Sequence, residues 1–293
     1  MIKTLRHTMK NLLGSAIVAA GLAAGAVHAE DKSIKIGWTA WSDCEATTQI
    51  AKQILEQKLG YKVELVLADI GLQYQGVAKG DTDVMLMAWL PTTHQNYWAK
   101  FKDQVVDLGI LYDNAKLGWA VPTYIPESEL KSITDLTKPE VKKQLKGTIQ
   151  GIDPGAGLTQ ASEKVIKAYE LGYHLQTASD AAMVAALDRA VKRKEWIVVT
   201  TWSPHWMFAQ YPLRYLDEPK GVMGGAEAIH AVSRKGFETD HPSAAAFIKN
   251  LKLPLSDLEA IMLKAKSTSF EKEAAAYIAA NPDKVAAWLK GVQ

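Results

Sequence analysis

The chain has 293 residues, with 34 basic and 32 acidic side chains, a formal net charge of +2, nine tryptophans and one cysteine. That near-balance gives no reason to expect nucleic acid or an anionic membrane surface as a partner. The single cysteine, Cys44, excludes an intramolecular disulfide.

The first 29 residues read as a leader and not as fold. Lys3, Arg6 and Lys10 make a basic start, Leu12 to Ala26 is an uncharged apolar run, and Val27-His28-Ala29 carries the small residues of a cleavage site. The apolar run is short for a bilayer span. Without residues 1–29 and their three basic side chains, 264 of the 293 residues remain, and 31 basic groups face 32 acidic ones. Cys44 has no lipoprotein box before it. The expectation is a cleavable signal peptide and a freely soluble product in the periplasm, not a lipoprotein.

Beyond the leader, Ile34, Ile36 and Trp38 alternate as a strand. Ala46, Ile50, Ala51, Ile54, Leu55 and Leu59 mark one helix face, stopped by Gly60. Val63, Leu65 and Leu67 form a second strand. A short helix over Leu72–Ala78 ends at Gly80, and Val84–Ala88 is an apolar run suited to a buried strand. Strands are further predicted at Val105–Gly109, Lys116–Val121, Gly147–Ile152, Trp196–Thr201 and Ala228–Val232. Predicted helices cover Ser162–Glu170, Asp180–Lys192, Pro242–Leu251, Leu255–Ala265, Glu271–Ala280 and Val285–Leu289. This alternation is that of an α/β protein with helices covering a largely parallel sheet.

Pro122–Pro126 and Gly221, Gly224 and Gly225 interrupt the rhythm and read as two crossings between lobes. They give a discontinuous first lobe, 30–121 with 226–293, and an inserted second lobe, 122–225. Lobes joined by two crossover strands can close on a ligand as a hinge.

Trp41, Trp89 and Trp202 each fall at the carboxyl end of a predicted strand, where open parallel sheets place their ligand crevices. Packing in the core is the ordinary role of a tryptophan, and Trp38, Trp98, Trp119, Trp196, Trp206 and Trp288 are assigned to it. Three indoles at equivalent strand ends of both lobes instead suggest a cage. A trimethylammonium group has no N–H to donate, and its charge is spread over methyl groups that fit against π faces. Gly151-Ile152-Asp153-Pro154-Gly155-Ala156-Gly157 leads from a strand into a helix, where free backbone N–H groups and the helix dipole favour an anion. Its spacing matches neither nucleotide-binding glycine motif. Thr92 and Gln95 have capping-box spacing, which predicts His94 in the first turn of a helix with a ring N–H available to a carboxylate.

The segments Ala88-Trp89-Leu90-Pro91-Thr92-Thr93-His94, Gly151–Gly157 and Thr201-Trp202-Ser203-Pro204-His205-Trp206-Met207-Phe208 together resemble the substrate-binding proteins of glycine betaine/choline-type ABC importers, the OpuAC-like group, over residues 33–293. The resemblance implies a type II periplasmic binding protein. It implies a prism of Trp41, Trp89 and Trp202 around the onium head, with His94 and the backbone amides of Gly151 and Ile152 on the carboxylate. Asp43, two residues after Trp41, looks more like the choline-binding relatives and suits a choline hydroxyl or the cation. Glycine betaine leads, with carnitine, dimethylsulfoniopropionate and choline as alternatives. The implied partners are a membrane permease and its ATPase, the expected state is a monomer, and no cofactor or metal is expected. Cys44, His94 and His205 carry no nucleophile or acid–base signature, so an enzyme is not expected. A receptor presenting the same ligand to a sensor kinase stays open.

Overall fold

The computed structural model describes residues 32–292; the leader expected over residues 1–29 lies outside them. The chain enters through β1 (Ser33–Trp38), α1 (Ser42–Leu59), β2 (Lys62–Leu67), α2 (Ile70–Lys79) and β3 (Val84–Leu90). Strand β1 pairs in parallel with both β2 and β3. Ile34 and Ile36 are fully buried, as the alternation predicts, and every residue of β3 is buried. Helix α1 stops at Gly60, whose φ of 72° lets its N–H reach back to the Leu55 carbonyl; a side chain there would be strained.

Next come α3 (Gln95–Phe101) and the long β4 (Val105–Pro122). The sequence predicts two strands here, and the structure joins them. Over Val105–Ala115, β4 runs antiparallel to β9 (Glu227–Arg234); over Lys116–Ala120 it runs antiparallel to β7 (Val199–Ser203). Three register shifts and positive φ at Gly109 and Asn114 bend the strand before the change of partner. Bulges keep a strongly bent strand continuous, which joins the two strands predicted at Val105–Gly109 and Lys116–Val121 into one.

The segment between β4 and β9 adds a 3-10 turn (Ile133–Thr137), α4 (Pro139–Gln144), β5 (Thr148–Gln150), α5 (Gly157–Ala168), β6 (His174–Gln176), α6 (Asp180–Arg193), α7 (Met207–Gln210) and β8 (Leu213–Tyr215). Strand β5 lies parallel to β6 and β7, and β8 pairs with the end of β4. After β9 the chain closes with α8 (Phe237–Asp240), α9 (Pro242–Asn250), α10 (Leu255–Ala265), α11 (Phe270–Ala280) and α12 (Pro282–Trp288).

The strand order is β2-β1-β3-β9-β4-β7-β5-β6. One lobe is built on β2-β1-β3-β9 and the first part of β4, the other on the rest of β4 with β7, β5 and β6. The second lobe has its own interior around Trp119, Ile149 and Val165, where the Trp119 indole donates to Ser162 Oγ at 2.9 Å. The carboxyl ends of β1, β3, β5 and β7 meet between the lobes, and the site forms there. Among the described residues no helix is long and apolar enough to cross a membrane.

Candidate functional site: an aromatic cavity between the lobes

Trp41, Trp89 and Trp202 line one cavity, and each is 5% exposed or less. Trp41 stands between β1 and α1, with extended backbone. Trp89 and Trp202 lie inside β3 and β7, not past their ends, paired with Ile229 and Leu117. The first lobe also contributes Asp43, Thr93 and His94; the second contributes Leu117, Ile152 and the start of α5. The empty space among these side chains is about 280 Å³, part of it open to solvent. It suits a ligand of few heavy atoms.

Asp43 is the only acidic side chain on this wall. Burial pushes its carboxyl above the usual range, while hydrogen bonds from Tyr112 and Trp202 pull the other way. The Tyr112 hydroxyl donates to Oδ2 at 2.7 Å and Trp202 Nε1 to Oδ1 at 3.0 Å. Both bonds favour the ionised form. A carboxyl group held by two donors and walled by indoles and aliphatic side chains suits a cation with little hydrogen-bonding capacity.

His94 has the opposite character. Its Nδ1 accepts the Trp89 N–H at 3.1 Å, which assigns the ring proton to Nε2. Burial lowers its pKa to about 3, so the ring is neutral at physiological pH. Among the described residues Nε2 has no hydrogen-bond partner, and this donor is available to a ligand. The predicted capping box does not form: His94 occupies the N-cap of α3 without a side-chain cap bond. Buried Glu227, at the start of β9, accepts instead from the Thr92 and Thr93 N–H groups and the Thr93 hydroxyl. A carboxylate from a distant strand outcompetes the local cap and fixes the loop that carries His94.

The glycine-rich turn contributes unevenly. Ile152 lines the cavity, but Gly151 does not, and the Gly151 N–H is already given to the Gln176 carbonyl at 2.9 Å. The wall is completed by Ala156, Gly157 and Leu158 at the start of α5, the positive end of the helix dipole. A Cβ at Gly157 would sit 2.4 Å from the Thr93 carbonyl oxygen and 3.0 Å from His94 Cδ2. Only glycine permits that approach between the lobes.

Sequence reasoning missed several neighbours. Asp153, assigned to the turn, accepts the Trp41 Nε1 proton at 2.7 Å. Trp206, assigned to packing, donates to Ser42 Oγ at 3.2 Å. Tyr112, Leu117 and Asp180 carry no local signal, because their partners are brought in by the fold. Of the tryptophans assigned to packing, Trp119 and Trp288 are buried in the interiors. Among the described residues no group of three or more His, Cys, Asp or Glu side chains is arranged to hold a metal ion.

Two α/β lobes joined by crossover strands, with a small aromatic cavity between them, define a binding protein of the type II periplasmic class. Residues 32–280 match the substrate binding domain of ABC-type glycine betaine transport systems, OpuAC, and the chain belongs to that family. It is 44% identical over 160 residues to a glycine betaine/carnitine transport binding protein of Listeria monocytogenes, a match spanning 53% of each chain. It thus spans about half the length of that curated relative. Lactococcal OpuAC, in its closed conformation with glycine betaine, superposes with a TM-score of 0.82 at 35% identity, covering 88% of this chain and 100% of that one. An ABC-transporter choline binding protein in complex with choline superposes with a TM-score of 0.83 at 29% identity, covering 89% and 93%.

Proposed function

We propose that this chain is the exported receptor of an ABC importer, capturing glycine betaine or a related quaternary-ammonium solute in the cavity and delivering it to a membrane permease with its ATPase. The observation that carries the reading is one buried carboxylate, Asp43, in a wall otherwise dominated by Trp41, Trp89, Trp202 and aliphatic groups. A desolvated cation–π contact contributes about 2 kcal/mol or more, so three faces supply on the order of 5 kcal/mol. That is enough to dominate the binding of so small a ligand. His94 Nε2 and the start of α5 supply donors for the ligand's other end, which favours a carboxylate-bearing solute such as betaine. Ile152 contributes its side of the wall, whereas Gly151 acts through the turn it shapes.

Choline is the second reading, favoured by the buried Asp43 carboxylate beside the cage; carnitine and dimethylsulfoniopropionate share the onium chemistry. The site would serve equally in presenting ligand to a sensor kinase. Catalysis gains no support from Cys44, whose thiol burial raises to about 12, leaving no thiolate nucleophile at neutral pH. The basic and apolar leader supports export to the periplasm, and a monomer is proposed as the working state. We place the lobe boundaries where β4 changes partner, between Ala115 and Lys116, and in the glycine-containing stretch before β9.

Parallel calorimetric titration of ligand-stripped protein with betaine, choline, carnitine and dimethylsulfoniopropionate tests the reading. Saturable binding of at least one is expected, with betaine tightest. Binding of none of them contradicts it.

A further inference from the structure

Three consecutive residues at the start of α1 each bond to the opposite lobe, but only two of them line the cavity. Trp41 donates to Asp153 and Asp43 accepts from Trp202. Ser42, between them, faces away from the ligand wall into a separate polar cluster. Its hydroxyl donates to Asp180 Oδ2 at 2.8 Å and accepts from Trp206 Nε1 at 3.2 Å. Asp180 opens α6, and its other oxygen, Oδ1, lies 3.2 Å from His205 Nε2. His205 Nδ1 accepts the Met207 N–H at 3.1 Å, so Nε2 carries the proton and donates. Ser42, Asp180 and His205 are 9%, 4% and 1% exposed, and Trp206 is partly buried.

We infer that Ser42, Asp180, His205 and Trp206 form a latch that holds the lobes together without touching ligand, and that it sets the rate of release for every ligand alike. Asp180, His205 and Trp206 belong to one lobe and Ser42 to the other, so opening breaks the two bonds to Ser42 and leaves the Asp180–His205 pair intact. A buried carboxylate that loses a donor is costly, and hydrogen bonds to charged groups are among the stronger ones. The latch is mechanically joined to the cage, because the His205 ring meets Trp202 edge-on with ring centroids 4.6 Å apart. It also lies next in sequence to both Trp41 and Asp43. All four are positioning residues: they act on the ligand through lobe closure and, for His205, through its contact with Trp202. The inference rests on the receptor reading above.

The test uses Ser42→Ala, which removes the hydroxyl at nearly constant side-chain volume, and Trp206→Phe, which removes the indole N–H but keeps an aromatic ring. Stopped-flow binding of glycine betaine and of choline should show dissociation faster by about tenfold in Ser42→Ala, with association little changed. The affinity loss should be the same factor for both ligands. Spin labels at Glu64→Cys and Lys143→Cys, exposed positions in opposite lobes, should report a smaller closed fraction in the ligand-free variant than in the wild type. Unchanged dissociation rates, or a loss that differs between the two ligands, overturns the latch. So does a fall in stability of the ligand-free variant that accounts for the whole effect. Failure of the wild type to bind either ligand contradicts the receptor reading instead, and the label distances then still decide the latch.

Discussion

At the scale of single residues, His94 and Asp43 are both buried and line the same cavity with opposite demands. His94 titrates near 6.5 when unfolded and near 3 when folded, because burial disfavours its cation. The unfolded chain therefore binds the extra proton first as pH falls. Stability from this group is complete above about 6.5 and is lost toward about 3, by at most about 1.4 kcal/mol per pH unit. His94→Gln should flatten that part of the acid limb in denaturant titrations at several pH values. An unchanged slope would mean that His94 is solvated. His94→Ala should also weaken betaine more than choline in titrations, since only betaine brings a carboxylate to Nε2; equal losses would argue against that contact. Asp43 is shifted up by burial, so its charge weakens as pH falls toward a value above the ordinary carboxylate range. A cationic ligand prefers the ionised form, and choline affinity should therefore decline with acidification. Asp43→Asn should abolish that decline and lower affinity at neutral pH. Trp89→Ala should cost more than about tenfold in affinity, from one desolvated cation–π face, and near-wild-type binding would remove it from the site.

At the scale of elements, Gly157 links helix α5 to the closed arrangement. Alanine at a helix position is favoured over glycine by about 1 kcal/mol, so Gly157→Ala should leave the ligand-free fold intact or slightly more stable. Its Cβ would nevertheless meet the backbone oxygen of Thr93 at 2.4 Å, and backbone does not swing aside as a side chain does. Overpacking of this kind costs about 1–3 kcal/mol, so ligand affinity should fall by about tenfold or more while thermal unfolding of the free protein is preserved. Unchanged affinity would show that the lobes bind ligand without this approach. The same region shows what local pattern can reveal. Glycines, a strand and a following helix are all legible between Gly147 and Glu170, but α5 begins at Gly157, five residues before its predicted start. The cavity tryptophans are legible because Trp41 follows β1 while Trp89 and Trp202 lie near the ends of β3 and β7, just before a proline-containing turn. Tyr112 and Asp180 are not, since they reach their partners across 69 and 138 residues of chain. Strands of three residues, such as β6 and β8, are too short to show a period. The capping box at Thr92–Gln95 failed because a buried glutamate, Glu227, arrives from another strand.

At the scale of the whole molecule, the alternation of strands and helices identified the class of fold, while the bend of β4 could be seen only in three dimensions. A strand that changes partner between Ala115 and Lys116 belongs to both lobes at once, and the ligand cavity lies beside that change. On the proposed function, closure would bring Trp202 and the start of α5 against Trp41, Trp89 and His94, removing water from around a bound cation and strengthening each contact. On that same proposal, methyl-bearing positive charge, not the small carboxylate, supplies most of the affinity. Calorimetric titration with glycine betaine, dimethylglycine, sarcosine and glycine, under one set of conditions, tests it most directly. Affinity should fall with each methyl group removed and be lost at glycine; glycine binding as tightly as betaine would contradict the account.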